Sequence, residues 1–157
     1  MFRNREVNLH DCKSWNEARD VFIESFNRAL RESRGGHVDR LDVIHGYGSS
    51  GEGGVIRDRL RAFLSRNVEH LEFVPGEDEA GNPGRTYVTP VKALPTAFEQ
   101  LTERVWEYCA VAKPLAKVKS RFWRDELRAE RAVEELERTG RIRVIRRGRV
   151  KLYESVN

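Results

Sequence analysis

Two histidines flank a glycine-rich segment, and they are the side chains best suited to proton transfer near neutral pH. His10 ends the alternating segment Arg5–His10, and His45 follows the apolar segment Leu41–Ile44. Five glycines lie in the ten residues from His45 to Gly54. Glycine permits positive φ and a close approach of the backbone, so several N–H groups can point at one anion. The combination predicts a phosphate-binding loop with acid–base groups beside it.

The spacing of the glycines argues against a nucleoside triphosphate or a dinucleotide as the ligand. The loop lacks the Lys-Ser/Thr ending of a P-loop and departs from the G-x-G-x-x-G pattern. It leads directly into a helix, whose N-terminal dipole favours a phosphate. Two alternatives stay open: a plain strand-to-helix connection, and histidines that only satisfy structural hydrogen bonds.

Two strand–helix segments followed by two strands must position this loop. Ser14 and Glu17 have the spacing of a capping box for the first helix, and Gly35-Gly36 should end it. The second helix should bury one apolar face, made of Val55, Ile56, Leu60, Phe63 and Leu64. Two further strands, His70–Val74 and Thr86–Val91, are joined by a polar loop containing Gly76, Gly81, Pro83 and Gly84.

This order predicts an α/β (α+β) fold, a two-layer sandwich with a four-stranded mixed sheet (βαβαββ). The first two strands are joined through a helix and should be parallel neighbours with a right-handed crossover. Because ligands bind beyond the carboxyl ends of strands in open α/β sheets, His10 and His45 should lie at one functional edge.

A second, winged-helix-like domain is predicted over residues 94–157, after a first domain over 1–93. Pro90 and Pro95 mark the boundary. Three helices should follow, around 96–112, after Pro114 and around 124–139, the last burying Leu127, Val133 and Leu136. A basic hairpin turning at Arg147-Gly148 should close the domain.

Positive charge is concentrated in this hairpin. Residues 1–94 carry 14 basic and 15 acidic side chains, whereas residues 95–157 carry 15 and 10. Arg141–Lys151 holds six basic residues and no acid, in alternation with Ile142, Val144, Val150 and Leu152. We expect an apolar face on the helices and a row of cations opposite, which would bind phosphates in a salt-dependent manner. The alternative is a charged edge that discourages strand-to-strand aggregation.

Composition limits the compartment and the partners. The sequence has no apolar run of the ~18–20 residues that a membrane helix needs, and no basic-then-apolar leader. We therefore expect a cytoplasmic protein without a membrane partner. Cys12 and Cys109 share no metal-ligand spacing and are expected to be reduced structural thiols.

Several motifs together resemble the Smr (small MutS-related) domain family, over about residues 5–92. Val7-Asn8-Leu9-His10 is similar to its Leu-Asp-Leu-His signature, and Glu17-Ala18 falls where the family has Glu-Ala. Ile44-His45-Gly46-Tyr47-Gly48 resembles its Thr-Gly-x-Gly loop, followed by Gly53–Arg57. Gly81–Thr86 and Tyr87-Val88 resemble its last glycine pair and closing strand.

The resemblance implies binding of DNA or RNA, and cleavage by several members. Carried over by position, the catalytic candidates are Asn8, His10 and His45. The candidate phosphate-binding residues of this domain are Gly46, Tyr47, Gly48, Ser49, Ser50, Arg57 and Arg85, and those of the hairpin are Arg143, Arg146, Arg147, Arg149 and Lys151.

Three positions depart from the family pattern. Asn8 replaces the usual aspartate, which removes a carboxylate able to orient a histidine or hold a metal. Asp11 replaces a glycine and returns a carboxylate nearby, and His45 replaces a threonine and adds a base.

Three hypotheses follow. The first is an endonuclease with His10 and His45 as acid and base, with or without a divalent metal (Mg²⁺ or Mn²⁺). The second is a non-catalytic nucleic-acid-binding module, and the third is a protein–protein adaptor. The choice of DNA or RNA and the oligomeric state are left open by the sequence.

Overall fold

The computed structural model describes residues 4–33, 39–47 and 53–157. The chain divides into two compact units, Met1–Leu94 and Pro95–Asn157. The predicted helix stop at Gly35-Gly36 and the predicted phosphate-binding residues Gly48, Ser49 and Ser50 lie outside the described residues. Across the described part of the chain, no helix has the length and apolar character needed to span a membrane.

The first unit is built around a four-stranded mixed sheet. Its elements are β1 (Asn4–Asn8), α1 (Trp15–Glu32), β2 (Arg40–Ile44), α2 (Gly53–Arg66), β3 (Leu71–Pro75), α3 (Gly76–Ala80) and β4 (Arg85–Pro90). The strand order is β1-β2-β4-β3, with β1 parallel to β2 and both other pairings antiparallel. The predicted fold class and the parallel first pair are confirmed.

Local sequence explains where α1 begins and which face it buries. The Ser14 side chain accepts from the Glu17 N–H at 3.1 Å, as predicted, but the Glu17 carboxylate accepts from Lys13 rather than Ser14. Apolar side chains then recur at helical spacing and pack with the sheet and α2. The largest members of this core are Phe22, Phe26, Leu9, Leu41, Leu60 and Leu64.

Two expectations for this unit were wrong. The segment predicted as a polar loop begins with α3, whose acidic first turn suits the helix dipole and which ends at Gly81 with φ 69°. Val55 is exposed, because it lies in the first turn of α2 and outside the face that buries Ile56, Leu60 and Leu64.

The second unit has three helices and a hairpin. They are α4 (Ala97–Tyr108), α5 (Leu115–Arg121), a 3₁₀ turn (Trp123–Asp125), α6 (Glu126–Arg138), β5 (Ile142–Arg147) and β6 (Val150–Ser155). Thr96 and Glu99 form a complete capping box at α4. Lys113 adds an antiparallel bridge to Tyr153, so the segment before α5 joins the hairpin edge.

Details of this unit also depart from expectation. Leu127 is 74% exposed, because α6 buries its Ala129, Ala132, Val133 and Leu136 face instead. The hairpin turns at Gly148-Arg149, with φ 64° at Gly148 and strand pairing up to Arg147 and Val150. Positive φ at the first central residue alone is the type II′ pattern that matches strand twist.

Candidate functional site

The carboxyl ends of β1 and β2 lie side by side. Asn8 is opposite Ile44 in the parallel register, and the Leu9 N–H donates to the Ile44 carbonyl at 2.8 Å. The segments that carry His10 and His45 therefore leave the sheet at the same edge, as the topology predicted.

His10 presents its imidazole to solvent. Its side chain is 49% exposed, and its Nδ1 lies 3.7 Å from an Asp11 carboxylate oxygen. The Asn8 Oδ1 accepts from the His10 backbone N–H at 2.9 Å, which fixes the turn after β1. Asn8 thus shapes the backbone at His10, and its amide offers no proton-transfer group.

His45 is fully buried, in contrast to His10. Its Nδ1 lies 2.6 Å from the Gly46 carbonyl oxygen, which can only accept, so Nδ1 carries the proton. Its Nε2 lies 2.8 Å from the Thr86 hydroxyl and accepts from it. Burial lowers the pKa of this imidazole below its ordinary value, which favours the neutral form. In this conformation both ring nitrogens are occupied and neither reaches solvent.

The hydrogen-bond chain continues from Thr86 to Arg61 and Glu77. The Arg61 Nε donates to the Thr86 hydroxyl at 3.2 Å, and its two terminal nitrogens donate to the Glu77 carboxylate at 2.6 and 2.7 Å. The Arg61 guanidinium lowers the pKa of Glu77 to about 2. This chain ties α2, α3 and β4 to His45. Sequence reasoning missed it, since neither Arg61 nor Glu77 belongs to a motif and α3 was expected to be a loop.

The described part of the glycine-rich loop is held by Gly84. Both the His45 and the Gly46 N–H donate to the Gly84 carbonyl at 3.1 Å, and Gly46 has φ 74°. A Cβ on Gly84 would lie 3.2 Å from the ring of Tyr47, so glycine lets this exposed ring lie close to the backbone. The Gly46 amide, expected to face a phosphate, is therefore occupied within the protein.

Arg85 lies in the same row of the sheet as Asn8. Asn8 is opposite Ile44 in β1 and β2, and Ile44 is opposite Arg85 in β4, so the three side chains share one face. The Arg85 guanidinium contacts the Asp42 carboxylate and lies 3.8 Å from that of Glu6. It is held at the predicted edge, partly exposed.

Asp42 is a buried carboxylate on the sheet face that carries Asn8 and Arg85. It is 7% exposed, and one of its carboxylate oxygens has no hydrogen-bond partner among the described residues, while the other contacts Arg85.

Arg57, the remaining predicted phosphate-binding residue of this unit, lies early in α2 and pairs with Asp58 at 3.1 Å.

The hairpin does not present its cations as one row, which corrects the expected alternation. The Arg141 guanidinium pairs with Glu103 and covers Trp106, and that of Arg143 pairs with Glu154 at 3.2 Å. Arg146 is opposite Lys151, whereas Arg147 is opposite Val150, so these cations divide between the two faces. Val150, expected to pack on the helices, is exposed.

The free cations of the hairpin gather at its tip. Within the described part of the chain, no carboxylate lies within salt-bridge distance of four of them, namely Arg146, Arg147, Arg149 and Lys151. The Lys151 ammonium lies 5.2 Å from the centroid of the Tyr153 ring. In the same described residues, no group of three or more His, Cys, Asp or Glu is placed to hold a metal ion.

Comparison with known proteins identifies the family of proteins to which this chain belongs. The Smr domain family model matches residues 7–90, and the chain belongs to this family. The endonuclease MutS2 of Streptococcus mutans serotype c (strain ATCC 700610 / UA159) is 35% identical over 77 residues. That match covers 49% of this chain and 9% of the MutS2 protein. No solved structure matches the chain.

Proposed function

We propose that this protein binds nucleic acid at the exposed edge beyond β1 and β2 and cleaves a phosphodiester there. The observation that carries the proposal is the register of the sheet in an Smr-family chain. It places Asn8 and Arg85 in one row, with the exposed imidazole of His10 two residues beyond Asn8. The Arg85 guanidinium supplies the charge for a phosphate contact at this edge.

His10 is the proton-transfer group in this proposal. Its imidazole takes the proton of the attacking oxygen, which is water or, on RNA, a ribose 2′-hydroxyl. A bond from that oxygen to phosphorus forms, the bond to the leaving oxygen breaks, and the proton returns to the leaving oxygen. Arg85 stabilises the charge on the phosphate oxygens. His45 stays neutral and holds the loop through Gly46, which is a positioning role.

Cleavage of labelled DNA and RNA, with Mg²⁺, with Mn²⁺ and with chelator, tests this assignment. His10→Ala should lower the rate about 100-fold or more, because general acid–base catalysis contributes ~10²–10⁴. His70→Ala is the matched control, since His70 lies in the same unit but its Nδ1 bonds to the Ala93 carbonyl. A His10→Ala protein that cleaves as fast as the wild type contradicts the role of His10.

A second candidate is a binding module without turnover, which is favoured by Asn8. An amide stands where the family has a carboxylate, and its oxygen is already bonded to the His10 N–H. A binding module without turnover predicts salt-sensitive binding of nucleic acid and no cleavage product with any divalent metal ion. It also predicts that Asn8→Asp gains cleavage that the wild type lacks. Wild-type cleavage that is unchanged by Asn8→Asp removes this candidate.

We also propose that the second unit is winged-helix-like and adds nucleic-acid contacts through its hairpin. The order of three helices, the Lys113 bridge and the basic hairpin support this. The cations at the hairpin tip, for which the described part of the chain supplies no carboxylate within salt-bridge distance, support it as well.

A further inference from the structure

The second unit has an open cleft whose lining includes none of the hairpin cations. The cleft is lined by Tyr108, Lys117, Ser120, Arg121 and Trp123 and has a volume of about 470 Å³. That volume falls in the range of sites for small ligands, roughly 300–1,000 Å³. Two of its five lining residues are aromatic and two are cationic, and none is acidic.

The Trp123 side chain lies at the surface and is not part of the hydrophobic core of the second unit. It is 68% exposed and begins the 3₁₀ turn between α5 and α6. Its neighbour Phe122 takes the interior position, buried and edge-on to Tyr108 with ring centroids 5.9 Å apart. The Phe122 N–H donates to Val118 and its carbonyl accepts from Asp125, which fixes the backbone on both sides of the turn. Because Phe122 fills the core, the indole of Trp123 is held outward.

One cation lies against each of the two aromatic rings of the cleft. The Arg124 guanidinium lies 5.2 Å from the Trp123 ring centroid, and the Lys113 ammonium lies 5.0 Å from that of Tyr108. The acidic side chains that follow in the sequence are paired elsewhere, Asp125 with Arg128 and Glu126 with Lys119. The cleft therefore combines an exposed indole with three cations, Lys117, Arg121 and Arg124, that have no carboxylate within salt-bridge distance among the described residues.

We propose that this cleft is a stacking subsite for an unpaired nucleotide of a single-stranded nucleic acid. A base has a π face for Trp123, and its phosphates suit Lys117, Arg121 and Arg124, which is the combination that single-strand binding uses. An apolar protein segment would leave the cations without partners, and an acidic one would leave the indole face unused. The inference rests on the proposed binding function and adds a substrate class, single-stranded or locally unpaired nucleic acid.

The test measures the affinity of the full chain for a fluorescently labelled 20-nucleotide oligo(dT) and for a duplex of equal length. Trp123→Ala should weaken single-strand binding by about 5- to 150-fold, the range of one lost base–aromatic stack, and leave duplex binding almost unchanged. Trp123→Phe should keep most of the affinity, because a ring remains. Leu127→Ala is the control, since Leu127 is 74% exposed against 68% for Trp123 and does not line the cleft.

The outcomes separate the two proposals. Unchanged single-strand affinity in Trp123→Ala overturns the subsite and leaves the binding function standing. Equal losses in Trp123→Ala and Leu127→Ala also overturn it, because the effect is then not one of stacking. A wild-type chain that binds neither probe removes the binding function, and the subsite with it. Thermal melting of each variant confirms that the fold is intact.

Discussion

Burial gives the two histidines of the strand ends different chemical properties. His10 lies in the turn after β1 with its imidazole in solvent, whereas His45 continues the buried side of β2 after Leu41 and Val43. A buried, doubly hydrogen-bonded imidazole stabilises the loop, and burial disfavours its protonated form. The pair therefore divides into one candidate for chemistry and one that positions the backbone.

The lowered pKa of His45 makes the stability of the fold pH-dependent. The unfolded histidine titrates near its ordinary value of 6.5, and the folded one titrates below it. As pH falls below 6.5 the unfolded state binds the proton first, so the free energy of unfolding decreases until the lower folded pKa is reached. Above pH 6.5 this contribution is constant.

Urea unfolding between pH 5 and 7.5 measures this effect. The slope of stability against pH should be shallower in His45→Gln than in the wild type. Equal slopes in His45→Gln and wild type would show that His45 does not carry the effect.

At the scale of elements, a chain of polar side chains that runs from buried His45 to exposed Glu77 joins segments that are distant in the sequence. The Thr86 hydroxyl on β4 accepts a hydrogen bond from the Arg61 Nε–H on α2 and donates one to His45, which follows β2. The Arg61 guanidinium also pairs with the Glu77 carboxylate on α3. The short helix α3 thereby takes part in holding the site edge. Gly76, at its start, has no room for a Cβ, which would lie 2.3 Å from the Asn82 carbonyl oxygen.

Removing the Thr86 hydroxyl should destabilise the first unit. Thr86→Val keeps the shape of the side chain but leaves the buried His45 Nε2 without a donor, which costs ~1–3 kcal/mol. Denaturant unfolding measures the loss, and Thr86→Ser, which keeps the hydroxyl, should recover most of it. Thr89→Val, on the opposite face of β4, is the control. A Thr86→Val protein as stable as this control would show that the hydrogen bond has no net stabilising effect.

At the scale of the whole molecule, charge is distributed unevenly between the units. The net charge is −1 over residues 1–94 and +5 over residues 95–157. Four cations near the hairpin tip have no carboxylate within salt-bridge distance among the described residues. Phosphate contacts of this kind release counterions, so their number can be obtained from the salt dependence of binding.

Neutralising the tip should change that dependence. The triple variant Arg146→Gln, Arg147→Gln and Arg149→Gln should reduce the magnitude of the slope of log K against log salt by roughly 2–3, at ~0.9 per contact. The matched control replaces Arg128, Arg131 and Arg138 on α6, with the same change in net charge in the same unit. Equal slopes for both triples would assign the effect to net charge rather than to the hairpin.

Local patterns in the sequence determined the elements and their order, apart from the short helix α3. Some features depend on only a few neighbouring residues and can be predicted without knowledge of the fold. They are the Ser14 cap, the 3.6-residue apolar period of α1 and Gly148 in the hairpin turn. The parallel pairing of β1 and β2 follows from the helix between them. These features, with the spacing of the Smr motifs, were sufficient to place His10 and His45 at one edge, whereas the position of Arg85 in a row with Asn8 came from the strand register.

Only the tertiary structure decided what each side chain at that edge can do. The burial of His45, the occupation of the Gly46 N–H and the Arg61–Glu77 clamp depend on contacts across 16 to 41 residues of sequence. The strand parity of Leu41, Val43 and His45 was the available signal that His45 continues on the buried side. The hairpin faces likewise depended on pairing register, since a shift of one residue moves every side chain to the opposite face. Burial and register depend on packing between distant segments, and a local pattern cannot specify that packing.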